Sequence, residues 1–223
     1  IFSFFTLISR ILGYLRDILI AIFLGATFLA DAFFVAFRLP NTFRRLFAEG
    51  TFNAAFIPSY TSIKIENKKK AKLFADEVLS LLLFILLFIV TLAEIFTPYL
   101  VYLIAPGFVS DTIKFDLAVE LTRVTFPFLL FVSLSSFFSG ILNSNNKFAA
   151  AAFAPIILNI ILILSIIISY FKGFNIAKQL SYGVTLAGVL QLIFLINIAS
   201  KFYKPEINFN LKISNKVKFF FKK

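Results

Sequence analysis

SRILGYLRDILIAIFLGATFLADAFFVAFRLPNTFRRLFAE, residues 9–49, is an apolar run broken by five arginines and three carboxylates. The arginines are Arg10, Arg16, Arg38, Arg44 and Arg45, and the acids are Asp17, Asp31 and Glu49. Between them lie stretches such as IAIFLGATFLA and AFFVAF, which have the character of membrane-spanning helix. A charge at the centre of such a helix costs about 2.5–3.5 kcal/mol on insertion scales, and it persists mainly where it faces protein or a water-filled cavity. The run therefore predicts two membrane helices, residues 2–24 and 28–47, that build a polar site.

The rest of the chain supports the class. Of its 223 residues 60% are hydrophobic, with 33 phenylalanines and a mean hydropathy of +0.95, against about 45–50% apolar in a soluble domain. Cysteine and histidine are both absent. That excludes disulfides, thiolate catalysis, imidazole general bases and His/Cys metal sites. No cofactor and no metal are expected. The sequence starts at Ile1 rather than Met and ends in a basic stretch, which suggests part of a longer protein.

Four more spans are predicted, at residues 75–96, 121–142, 148–171 and 180–199, each near the ~20 residues that cross a bilayer. Lys64, Lys68, Lys69, Lys70 and Lys72 fall between the second and third spans, Lys147 between the fourth and fifth, and seven lysines after the sixth. The opposite connections hold only Lys114, Lys172 and Lys178. The lysine-rich side is the cytoplasmic one by the positive-inside rule, so the N-terminus and the tail are expected in the cytoplasm. This placement explains the net charge of +11 without nucleic acid. The organisation expected is a six-helix transmembrane unit over residues 1–200 and a basic cytoplasmic segment over 201–223. That segment reads either as a strip lying on an anionic leaflet or, preferably, as a loop toward a further span.

Gly25 and Ala26 predict a tight link between the first two spans, and Pro98, Pro106 and Gly107 an outer loop with an interfacial segment. Pro127 and Pro155 are expected to kink the fourth and fifth spans. At 100° per residue Arg10 and Asp17 share a face with Gly13 between them, leaving room for a partner group, and Arg16 points about 120° away. Asp31, Arg38, Arg45 and Glu49 fall on one stripe of the second span, with Asn41 close by and Arg44 off it. Internal pairing of Arg10 with Asp17, Asp31 with Arg38 and Arg45 with Glu49 leaves an excess of arginine. An unpaired buried charge is expensive, and a guanidinium suits a phosphate because its planar fork donates parallel hydrogen bonds and stays charged. Glu94 and Arg123 read as snorkelling residues near span ends. The serines at 133, 135, 136 and 139 read as close-packing residues, and Asn159 and Gln191 as interhelical hydrogen-bond partners.

Residues 9–60, SRILGYLRDILIAIFLGATFLADAFFVAFRLPNTFRRLFAEGTFNAAFIPSY, closely resemble the start of the bacterial lipid II flippase family, MurJ or MviN. The likeness continues in APGF at 105–108, in TFPFLLFVSLSSFFSGILNSNNKFAAAAFAPIILN at 125–159 and in GVLQL at 188–192, covering nearly the whole chain. It implies the multidrug/oligosaccharidyl-lipid/polysaccharide exporter superfamily, with two six-helix lobes around a central cavity and two further C-terminal helices. This chain looks like the N-terminal lobe alone, with a C-terminal lobe required to complete the cavity.

The resemblance also implies a function. The family carries lipid-linked peptidoglycan precursor from the inner to the outer leaflet of the bacterial cytoplasmic membrane, and it is not enzymatic. Its essential cavity arginines match Arg10, Arg16 and Arg44, and its important acidic position matches Asp31. Ser9, Asp17, Arg45 and Glu49 fall on the family pattern, and Arg38 stands where the family admits Lys or Arg. The expected roles are pyrophosphate binding by Arg10, Arg16 and Arg44 with Arg38 and Arg45 in support, and gating or arginine-orienting by Asp17, Asp31, Glu49 and Ser9. The family's further cavity arginine and its cation-binding residues belong to the second lobe. Three rival readings share parts of this pattern. They are a flippase for an O-antigen or capsule unit, a membrane enzyme acting on a polyprenyl phosphate through Asp31 or Glu49, and a non-catalytic scaffold.

Overall fold

The computed structural model of the protein describes residues 2–47 and 51–207, except for the side chains of 43–47 and 51. Among the described residues the chain is helical throughout, without strands. In order come α1 (Phe2–Leu24), α2 (Phe28–Phe47), α3 (Thr51–Glu66), α4 (Lys68–Ile95) and α5 (Thr97–Ile104). A 3-10 turn (Pro106–Ser110) leads into α6 (Thr112–Thr125), α7 (Phe128–Asn143), α8 (Phe148–Lys172) and α9 (Ile176–Ala199).

Four stretches are long and apolar enough to cross a membrane: Lys68–Ile95, Thr112–Asn143, Phe148–Lys172 and Ile176–Ala199. The first two expected spans are helices with the expected bounds, α1 and α2, and their charges set them apart from these four. Large apolar side chains such as Phe84, Phe88, Leu164 and Ile167 stand exposed on α4 and α8, which is how lipid-facing helices look. The protein is an all-α, multi-pass integral membrane protein.

Local chemistry explains the ends. Gly25 takes φ +58 between α1 and α2, a left-handed conformation that a residue without Cβ adopts freely. Asn67 caps α4 by accepting from the amides of Lys69 and Lys70. The helix therefore begins at Lys68, ahead of the apolar run expected from residue 75, and Lys68–Lys72 form its first turn rather than a connection. Asp111 caps α6 by accepting from the Lys114 amide, so this helix also starts earlier than the expected residue 121.

At Pro127 the fourth span breaks into α6 and α7, where a kink was expected. Proline has no N–H to donate, and neighbouring helices take up polar groups at the break. The Thr185 hydroxyl of α9 donates to the Val124 carbonyl, and the Thr125 hydroxyl donates to the Ala36 carbonyl of α2 at 2.9 Å. Pro155 lies inside the continuous α8. The outer connection expected to hold an interfacial segment contains α5 and the 3-10 turn.

One helix was not expected. α3 occupies the stretch assigned to a connection and buries Phe56 against Phe74 and Phe137, with Tyr60 stacked on Phe56. α9 packs closely on α7 and α8, α1 lies along α8, and α2 lies along α6. Two apolar clusters result. One centres on α3, α4 and α7 (Phe56, Leu79, Phe137, Ile141). The other joins the facing ends of α1, α2, α6, α8 and α9 (Leu24, Phe33, Leu121, Leu162, Val184).

Candidate functional site

A cavity of about 530 Å³ opens among α1, α2, α3, α7, α8 and α9, bounded by members of both apolar clusters. Its wall is unusually polar for a membrane-spanning bundle. α1 contributes Gly13 and Arg16, α2 Asn41, α3 Asn53, α8 Asn159 and α9 Gln191. α7 contributes Ser135, Ser136, Ser139 and Asn143.

Arg16 is the centre of the arrangement. Its Nε and Nη2 donate to Asp17 Oδ1 at 2.9 and 2.6 Å, and its Nη1 donates to Asn159 Oδ1 at 2.9 Å. Asn159 Nδ2 in turn donates to the Ser9 carbonyl at 2.9 Å. This fixes the amide's orientation: its oxygen faces the arginine and its nitrogen faces α1. Gly13 lies next to this amide, and a Cβ there would meet Asn159 Nδ2 at 3.6 Å, an ordinary van der Waals contact. The side chain of Arg16 is 19% exposed and that of Asp17 is 64% exposed. The guanidinium is thus held from behind by two partners and keeps further N–H donors for a ligand.

The other predicted site residues are placed differently. Arg10 and Arg38 are exposed, do not line this cavity, and have no acidic partner among the described residues. Pairing of Arg10 with Asp17 and of Asp31 with Arg38 is not what the structure has. Asp17 is taken by Arg16, which Asn159 holds beside it. Asp31 is taken by Lys114 of α6 at 2.5 Å, because α2 lies along α6 and brings the two together. Lys114 also sits 4.3 Å from the centroid of the Phe108 ring, a cation–π contact. Arg44 and Arg45 belong to α2, but their side chains, and Glu49 with the pair expected between it and Arg45, lie outside the described residues.

Asn159 and Gln191 do bridge helices, as expected; Gln191 Nε2 donates to the Ala154 carbonyl at 2.9 Å. The grip of Asn159 on Arg16 was missed, although the spacing of the polar residue within an apolar helix was a usable signal. A second buried polar site was missed altogether. Asp76, 6% exposed near the start of α4, accepts from Tyr203 Oη at 2.6 Å and from the Glu206 amide at 3.0 Å. Lys72 pairs with both Asp76 and Glu206. Through these contacts the segment after α9 is tied back onto α4. Burial, and then the hydrogen bond to Asp76, push the Tyr203 phenol well above its usual range.

A model of the family described as lipid II flippase MurJ matches residues 20–223, so Asp31, Arg38, Arg44, Arg45 and Glu49 fall within the match and Ser9, Arg10, Arg16 and Asp17 before it. A probable lipid II flippase MurJ of Rickettsia prowazekii is 44% identical over 203 residues, 90% of this chain and 39% of that protein. The corresponding protein of Rhizobium tropici is 47% identical over 192 residues, 84% of this chain and 36% of its own length. A solved structure, lipid II flippase MurJ in an inward closed conformation, superposes with a TM-score of 0.81 at 30% identity, over 99% of this chain and 46% of that one. The chain thus spans about two-fifths of the length of the curated relatives it matches. With its helical fold and most of its length matched, the chain belongs to the lipid II flippase MurJ family.

Proposed function

We propose that this chain acts as the N-terminal lobe of a flippase that moves lipid-linked peptidoglycan precursor, lipid II, from the inner to the outer leaflet of the bacterial cytoplasmic membrane. Arg16 holds the pyrophosphate; Arg10 and Arg44, with Arg38 and Arg45 in support, are the further arginines of α1 and α2 proposed to act with it, although Arg10 and Arg38 stand outside this cavity. Asp17 orients Arg16. Asp31 acts in gating through its partner on α6. Glu49 and Ser9 complete the set that orients the arginines. A second six-helix lobe closes the cavity, and rocking of one lobe against the other exposes the site alternately to the two sides. The polyprenyl tail stays in the bilayer while the head group crosses. The N-terminus and the basic segment over 201–223 lie in the cytoplasm, as the lysine distribution indicates.

The observation that carries this reading is the Arg16 guanidinium, braced by Asp17 and Asn159 at the wall of a polar cavity inside an apolar bundle. Such bracing leaves the charge in place at little reorganisation cost and keeps donors toward the cavity, which is what a diphosphate requires. An inside-negative membrane potential favours outward movement of the anion by about 2.3 kcal/mol per charge per 100 mV.

The test is complementation of flippase-depleted bacteria by the full-length protein carrying Arg16→Ala. Membrane insertion is expected to persist while lipid II accumulates on the inner leaflet. Translocation at the unsubstituted rate overturns the assignment, and accumulation of a different lipid-linked intermediate on depletion redirects it to another cargo.

A further inference from the structure

Asp76 is a buried acid that takes no part in the cavity. It lies about two turns into α4, among Phe74, Ala75, Val78 and Leu79 of an apolar cluster. A carboxylate taken out of water is costly unless hydrogen bonds and an opposite charge meet it. Lys72 of the same helix stands 3.5 Å from its Oδ2. The hydrogen bonds come from the segment after α9, where Tyr203 Oη and the Glu206 amide both donate to Oδ1. The buried ring of Tyr203 packs on α7, with 5.9 Å between its centroid and that of Phe137 and 6.4 Å to that of Phe138. One residue thus grips α4 by its hydroxyl and α7 by its ring. Lys72 also pairs with Glu206, but that side chain is 77% exposed, and an ion pair so open to water contributes little. The tie therefore depends on Asp76 and Tyr203.

Stopping α9 does not require this tie. The amide of Ser200 already donates to the Ile196 carbonyl, and those of Phe202 and Tyr203 donate to Ala199. The contact with Asp76 comes on top of that closure and involves a buried charge. Its place in the lobe gives it a use. α4 packs on α7, and α7 forms part of the cavity wall. Left free, residues 200–206 would put up to about 25 Å of slack between α9 and the rest of the chain. Tied down, they leave none, and a displacement of the chain beyond them acts on α4 and α7 together. We propose that Asp76 and Tyr203 form a strap that makes residues 200–206 a rigid part of this lobe, so that movement of the connection to the second lobe reaches the cavity wall through α7. Asp76 is a positioning residue, remote from the cargo. The inference rests on the flippase reading above and adds to it a route by which one lobe drives the other.

The experiment follows three quantities on the full-length protein in vesicles: hydrogen exchange of the Glu206 amide, affinity for lipid II, and the rate of its translocation. In Asp76→Ala the amide is expected to exchange about tenfold faster and translocation to slow about threefold or more, with affinity unchanged. Asp76→Asn, which keeps an acceptor oxygen in the same place, should recover most of both. Tyr203→Phe keeps the ring on α7, should shift exchange and rate in the same direction as Asp76→Ala, and decides the matter if Asp76→Ala fails to insert. Glu206→Ala keeps the backbone donor and should change neither. Faster exchange with translocation at the unsubstituted rate overturns the strap, since the tie then only closes the fold. An unprotected Glu206 amide in the unsubstituted protein, affinity lost in step with rate, or an equal loss in Glu206→Ala overturns it too. All of these leave the flippase reading standing. An unsubstituted protein that translocates no lipid II overturns the flippase reading, and the inference with it.

Discussion

Arg16 of α1 and Asn159 of α8 are joined by a 2.9 Å hydrogen bond, and the same amide returns a bond of equal length to the Ser9 carbonyl. One side chain therefore fixes both the guanidinium and the helix that carries it. Asn159→Ala is expected to keep the charge of Arg16 but release its orientation. A hydrogen bond to a charged group contributes about 1.5–3 kcal/mol, so translocation should fall by about tenfold or more. Asn159→Asp, which offers an acceptor to Arg16 but no donor to Ser9, should recover part of it. Rates measured on the two variants in reconstituted vesicles check this. Equal rates for Asn159→Ala and the unsubstituted protein would show that Arg16 needs no brace.

Asp31 of α2 and Lys114 of α6 form an ion pair between two helices that also pack through apolar side chains. The Asp31 side chain is 56% exposed, so the pair is worth no more than about 1 kcal/mol to stability. Lys114→Ala should leave the unfolding temperature nearly unchanged. If the pair takes part in gating, Lys114→Asp should impair translocation, and the exchange Asp31→Lys with Lys114→Asp should restore it in part. Lack of any recovery in the exchanged protein, with normal insertion, assigns Asp31 a role that needs a carboxylate at that position.

Tyr203 stays protonated through the physiological range, because burial and the bond to Asp76 both oppose its ionisation. Its folded-state value lies above the ordinary ~10 of a free phenol. The stability from this tie is therefore fully present below about pH 10 and lost only as pH rises through the folded value. Tyr203→Phe leaves a buried carboxylate oxygen short of a donor and should cost about 1–3 kcal/mol, by the same amount at pH 7 and at pH 9. Thermal unfolding in detergent at both values tests this. A cost that shrinks between them would mean that the phenol already ionises there.

Much of this architecture was legible because apolar runs of membrane length have few alternatives: the bounds of α1 and α2 could be read directly from residues 2–24 and 28–47. α3 was hidden because TFNAAFIPSYTSIKIE has neither an apolar run nor an apolar stripe, and Phe56 is buried only by what packs around it. The early starts of α4 and α6 lie in the capping of Asn67 and Asp111, which hydropathy does not weigh. Among the site residues the charges themselves were conspicuous, but their partners were not. Periodicity on one helix pairs Asp31 with Arg38, whereas the structure pairs it with a lysine 83 positions away, a choice made by helix packing.

Gly188 on α9 shows how closely that packing is set. A Cβ at this position would lie 2.7 Å from Phe128 Cδ2 and 3.1 Å from Phe131 Cβ. Phe128 is fully buried and begins α7 at the Pro127 break, so its ring has little freedom to move. Gly188→Ala should therefore destabilise by about 1–3 kcal/mol, the usual range for overpacking, even though alanine favours a helix interior over glycine by up to about 1 kcal/mol. Gly107, in the 3-10 turn, has nothing within 4 Å of the same added atom, and Gly107→Ala should be neutral. Thermal unfolding of the two single variants, side by side, separates the effects. A Gly188→Ala protein as stable as the Gly107→Ala protein would mean that α7 and α9 can part without loss, and the cavity wall they share would then not be rigid.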